Sequence, residues 1–143
     1  MEARSVNVLL VDDDEVDVMT VRRTFERNDI SHFLYVANSG SEALDMLRGT
    51  APDLPTVPAH RRIVLLDINM PCMSGLEFLQ ELRQDETLCN TPVIVLTTSN
   101  DDHDREEAYR LNVAGYLIKP IKVKNFDEIM LALNQYWAYC EIP

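Results

Sequence analysis

Four positions in this chain carry groups that could handle a phosphoryl group, and each follows a short apolar run. Asp12-Asp13-Asp14 comes after Val6–Val11, Asp67 after Ile63–Leu66, Thr97 after Val93–Leu96, and Lys119-Pro120 after Tyr116–Ile118. Taken singly, each has a plain structural use. An acidic triplet caps a helix and charges its first turn, a lone Asp caps a turn, and Thr or Lys is ordinary in a loop. Taken together they form a chemical set. Two carboxylates ~4 Å apart repel by roughly 4 kcal/mol at an effective dielectric of about 20, so converging acids call for a cation among them. Carboxylate, carbonyl and water oxygens are hard ligands, which suits Mg²⁺. Lys119 adds a second positive charge and Thr97 a hydroxyl donor, an environment in which a carboxylate can attack phosphorus.

These groups meet only if the runs they end are strands of one parallel sheet. Val6–Val11 (VNVLLV) is nearly all apolar, as in a strand buried on both faces. From Glu15 to about Asn28 the period becomes helical, with Val18, Val21 and Phe25 on one face. Phe33–Ala37 predicts a second strand, and Ser39-Gly40-Ser41-Glu42 a helix start ahead of Ala43, Leu44 and Leu47. Gly49–Arg62, with three prolines, predicts a long loop. Leu76, Leu79 and Leu82 mark a third helix, Asp101–Asn112 a polar fourth, and Phe126, Ile129, Met130, Leu133 and Trp137 the apolar stripe of a last one. Alternation of this kind predicts an α/β fold: a five-stranded, doubly wound parallel sheet of flavodoxin-like type. That class carries strand order 2-1-3-4-5 and a crevice beyond the carboxyl ends of strands 1 and 3.

The 143 residues are expected to form one domain over 1–143, with its core at about 6–138 and no output domain. A hydrophobic fraction of 46% argues against disorder, and a net charge of -11 against binding nucleic acid or an anionic membrane. No apolar run approaches the ~18 residues of a membrane span. Cys72, Cys89 and Cys140 are odd in number and lack metal-ligand spacing, which predicts reduced thiols in the cytoplasm. His32, His60 and His103 are scattered and are expected at the surface.

The runs VLLVDDD, LLDINMPCMSG, VIVLTTS and AGYLIKP resemble, in order and spacing, the receiver domain of two-component response regulators. The resemblance implies a phospho-accepting signalling protein that catalyses only its own phosphorylation and dephosphorylation. It makes Asp67 the acceptor of a phosphoryl group from a histidine kinase. Asp13 would bind Mg²⁺ directly, Asp12 mainly through water, and Asn69 through its main-chain carbonyl. Thr97 would be the switch hydroxyl, Tyr116 the aromatic that swings with it, and Lys119 the partner of a phosphoryl oxygen. Pro120 is expected after a cis bond. Asn69 and Ser99 are placed to tune hydrolysis. The Pro-rich connection and the ending QYWAYCEIP resemble single-domain regulators paired with bacterial phytochrome kinases. A helix cannot turn Tyr136, Trp137 and Tyr139 all into one core, which predicts a homodimer through the last helix and its tail.

Two other functions compete. Asp12–Val16 also fits D-x-D-x-V, the opening of haloacid-dehalogenase-like phosphatases, but that scheme needs a cap domain and gives Asp67 no task. A non-phosphorylated adapter on the same fold would be expected to lack one of the acids or the lysine, and all are present. A flavin or dinucleotide site lacks its Gly-rich turn after the first strand.

Overall fold

The structure is a computed structural model that describes residues 5–28, 30, 32–119 and 123–142. Its elements run β1 (Asn7–Val11), α1 (Glu15–Arg27), β2 (Phe33–Ala37), α2 (Gly40–Arg48), β3 (Arg62–Leu66), α3 (Gly75–Gln84), β4 (Val93–Thr97), α4 (Asp102–Arg110), β5 (Gly115–Ile118) and α5 (Val123–Tyr139). The expected order holds, with bounds shifted by a residue or two. Val6 lies outside β1, while Arg62 and Thr97 are drawn into their strands. The sheet is parallel throughout, in the order β2-β1-β3-β4-β5.

Strand alternation splits the core in two. Leu9, Val11, Val64, Leu66, Val93 and Val95 face α2, α3 and α4, whereas Val8, Leu10, Ile63, Leu65, Ile94 and Leu96 face α1 and α5. Both faces of β1, β3 and β4 are therefore buried, which is why their sequences are continuous apolar runs. The helices begin as their polar residues direct. Asp14, Ser39, Ser74 and Asp101 each accept a hydrogen bond from a backbone N–H of the first turn. The loop from Gly49 to Arg61 carries no regular element, as expected, but Val57 anchors it in the core.

Two expectations change. His32 is half-buried and engaged, not free at the surface: its Nδ1 accepts the Val6 N–H at 2.9 Å, and its ring meets Trp137 edge-on at a centroid distance of 5.4 Å. Trp137 is correspondingly 3% exposed and belongs to the core between α5 and the sheet, which removes it from the outward-facing set proposed for a dimer. Tyr136 and Tyr139 remain outside, at 65% and 88% exposure.

Candidate functional site

Strand register brings the acids together. Val11 pairs with Leu66 across β1 and β3, so Asp12 and Asp67 leave the sheet side by side. Thr97 pairs with Ile118 across β4 and β5, which places Lys119 one step further along the same edge. Its N–H then donates to the Thr97 carbonyl at 2.6 Å.

The acidic triplet serves two purposes at once. Asp14 is the N-cap of α1 and accepts the Val16 N–H at 2.8 Å. Asp12 and Asp13 turn instead toward Asp67, and the three residues can each offer an oxygen within 4.8 Å of the others. Every donor in that group is a carboxylate oxygen, the donor set that hard divalent cations such as Mg²⁺ prefer.

Lys119 supplies the positive charge among these acids. Its Nζ donates to Asp12 Oδ2 at 2.7 Å and to Asp17 Oδ2 at 2.6 Å, and lies 3.5 Å from Asp67 Oδ2. Burial by itself would lower the lysine pKa, but the hydrogen bonds to Asp12 and Asp17 outweigh it and hold the group at about 12. Asp12, almost wholly buried, is pushed up to about 6 by desolvation, although Lys119 and the Asp14 N–H pull it back.

Asp67 is itself buried. The Asn69 N–H donates to its Oδ1 at 3.1 Å, and the Asn69 side chain donates to Thr98 Oγ1 at 2.9 Å across the rim. Thr97 is fully buried at the end of β4, with its Oγ1 accepting the Ser99 N–H at 3.2 Å. The Tyr116 hydroxyl donates to the Ser99 carbonyl at 3.0 Å, so both groups named as a switch hold the same loop. Ser99 turns its own hydroxyl to Asp104 Oδ2 at 2.6 Å. Pro120 lies outside the described residues.

Two residues of this site escape the sequence reading. Asp17 sits one turn along α1 from Asp13, where an acid is already expected from the helix dipole and so draws no notice. Gly75 starts α3 against the chain that leaves β3. A Cβ there would lie 2.4 Å from the Asp67 carbonyl oxygen and 2.6 Å from Ile68 Cα, and the Gly75 N–H donates to Ile68 O at 2.9 Å. The only sequence signal for it is a glycine at a helix start.

The family model described as the response regulator receiver domain matches residues 8–131. Among curated relatives, the "Probable methanogenesis regulatory protein FilR2" of Methanothrix harundinacea is 36% identical, covering 91% of this chain and 82% of its own length. Response regulator Rcp1 of Synechocystis is 31% identical, with 91% and 87% covered. The crystal structure of Rcp1 in its Mn²⁺-bound form aligns with a TM-score of 0.80 at 30% identity, covering 95% of this chain and 97% of that one. The phosphorylated cyanobacterial phytochrome response regulator RcpA aligns with a TM-score of 0.82 at 26% identity, covering 97% and 99%.

Proposed function

The chain belongs to the response regulator receiver family of two-component signalling, and from that premise we propose that Asp67 is its phosphoryl acceptor. The donor is a phosphohistidine on a sensor kinase. An Asp67 carboxylate oxygen attacks phosphorus, the P–N bond breaks, and the phosphoryl group is left on Asp67 as an acyl phosphate, which water later hydrolyses. Asp12, Asp13, Asp67 and the Asn69 carbonyl would hold Mg²⁺. That ion supplies neutralisation of phosphoryl oxygens and of the crowded acids.

The observation that carries this assignment is Lys119 Nζ, held among Asp12, Asp17 and Asp67. A phosphoryl group on Asp67 brings a charge of about -1.5 to -2, and the ammonium is already within 3.5 Å to meet it. Thr97 Oγ1 then turns from the Ser99 N–H toward the phosphoryl group, and Tyr116 gives up the Ser99 carbonyl and moves inward. A two-state equilibrium is thereby biased at the face formed by α4, β5 and α5. Asn69 and Ser99 flank the acceptor and the switch hydroxyl and set the hydrolysis rate by positioning water.

The phytochrome response regulator among the similar structures supports a phytochrome-type histidine kinase as the donor. A homodimer through α5 would use the exposed Tyr136 and Tyr139. Incubation with acetyl phosphate or a phosphorylated kinase tests the central assignment. Asp67→Asn is expected to keep the wild-type circular dichroism spectrum and take up no label, and a chelator is expected to stop labelling of the wild type. Labelling of Asp67→Asn at full rate would reject the assignment.

A further inference from the structure

A second polar site lies at the other end of the acceptor strand. Arg62 opens β3 and Asp67 follows its last residue, so five residue steps of ~3.3 Å put roughly 16 Å between them. Arg62 is 7% exposed, yet its guanidinium has no hydrogen-bond or ion-pair partner among the described residues. The arginines around it behave differently: Arg48 pairs with Asp85 at 3.0 Å, and Arg83 donates to the carbonyls of Leu111, Cys89 and Thr91. Arg62 instead lines a cavity of about 80 Å³ with Ala59, Thr87, Asn90, Thr91 and Pro92.

The charge balance there is incomplete. Asp85 is the anion that acts on Arg62, but its carboxylate is already engaged by the Thr87 hydroxyl at 2.6 Å, Arg48 Nε at 3.0 Å and the Thr87 N–H at 2.9 Å. Two guanidinium groups thus share one carboxylate, and one positive charge is left over. The guanidinium nitrogens are not sealed from solvent, so the cavity is where this charge is met, and a guanidinium cannot escape by losing its proton. Burial does press the Arg62 pKa down, with Asp85 opposing. The planar fork of an arginine matches two oxygens of one anion. A cavity of about 80 Å³ has the room of roughly two to three waters, which suits a small free oxyanion.

We propose that this cavity binds a small oxyanion, with inorganic phosphate as its probe, seated on the Arg62 guanidinium with the exposed Asn90 at its mouth. The site is separate from the acidic cluster and does not depend on the assignment of Asp67. The test is a titration of the full chain with inorganic phosphate, followed by ¹H–¹⁵N NMR. Chelator is present throughout so that no divalent ion can hold phosphate at Asp67, and chloride keeps the ionic strength constant.

Saturable shifts centred on Arg62 Nε and on the amides of Thr87, Asn90 and Thr91 are expected. Arg62→Met, which keeps the apolar stem and deletes the charge, should weaken binding by about tenfold or more. Asn90→Ala, at an exposed position, should weaken it several-fold without disturbing the fold. Linear shifts without saturation would mean a cavity filled by water and would overturn the proposal. So would saturable shifts centred on Asp13 and Lys119, or unchanged affinity in Arg62→Met. Should that variant fail to fold, the wild-type map and Asn90→Ala decide the matter.

Discussion

Lys119→Met probes the charge logic of the acidic site, and its magnitude can be worked from the geometry. The lysine side chain is 9% exposed and faces carboxylates at 2.7, 2.6 and 3.5 Å. The rise of its pKa from 10.5 to about 12 corresponds to ~2 kcal/mol in favour of the ammonium, after its own desolvation has been offset. Because the folded value is the higher one, this stabilisation is fully present below 10.5 and fades only as pH rises through 12, so it is complete at neutral pH. Deleting the charge also strands Asp12, and removing one member of a buried pair costs ~3–5 kcal/mol. Methionine preserves most of the stem volume, so little cavity cost is mixed in. We therefore expect a loss of about 3 kcal/mol in urea unfolding at neutral pH without divalent ions. Mg²⁺ that binds only the native state adds ~2.7 kcal/mol at a hundredfold excess over its Kd. The variant, freed of a competing cation, should bind it more tightly than the wild type. The gap between the two proteins should then close substantially as Mg²⁺ is added. An equal gap with and without Mg²⁺ would show that the lysine acts by packing alone and would refute the reasoning.

Three further perturbations follow from single contacts. Tyr116→Phe removes the hydroxyl bound to the Ser99 carbonyl and should cost ~1 kcal/mol in thermal unfolding while leaving the rate of Asp67 labelling unchanged. Gly75→Ala forces a methyl against the Asp67 carbonyl and Ile68 Cα. It should destabilise by ~1–3 kcal/mol and slow phosphoryl uptake, and wild-type values in both assays would contradict the close approach. Burial, helped by the Arg61 charge, holds the His32 imidazole below its ordinary 6.5. The unfolded chain thus binds more protons just below that pH, and stability should fall as pH drops through the window. His32→Gln should flatten that part of the unfolding-versus-pH curve.

Much of the site was legible because strand burial and strand ends leave a direct mark on sequence. A strand covered on both faces must be apolar throughout, so the first polar residue after it marks the sheet edge, as Asp12 and Asp67 do. Asp12–Asp14 shows why one motif can support two explanations. Asp14 caps a helix while its neighbours face Asp67, and only the turn into α1 decides which does which. What stayed hidden depends on partners distant in the chain. Asp17 joins the site because Lys119, a hundred residues on, reaches it. Trp137 turns inward because His32 and the sheet receive it, while its neighbour Tyr136 stays in solvent. Helical periodicity marks a stripe but not how far along the helix that stripe remains covered.

The architecture also assigns a sign of charge to each edge of the sheet. In a doubly wound parallel sheet every helix begins at the carboxyl edge of the strands and ends at the other. The far edge therefore collects helix carbonyls, and two of its arginines cap them. Arg61 donates to the Trp137 and Cys140 carbonyls at 3.3 Å, at the end of α5, and Arg83 to the Leu111 carbonyl at 2.7 Å, at the end of α4. The carboxyl edge collects helix N-termini and turn amides, which favour anions. The Asp14 N–H donates to Asp12 at 2.9 Å and the Asn69 N–H to Asp67 at 3.1 Å. Those amides carry only partial charge. Asp12, Asp17 and Asp67 surround the ammonium of Lys119 and Asp13 adjoins Asp12 and Asp67, so these four carboxylates outnumber that ammonium by three charges. On the proposed assignment, a phosphoryl group arriving at Asp67 would add to that surplus. The proposed divalent cation at Asp67 is thus favoured by the local charge balance, independently of any relative.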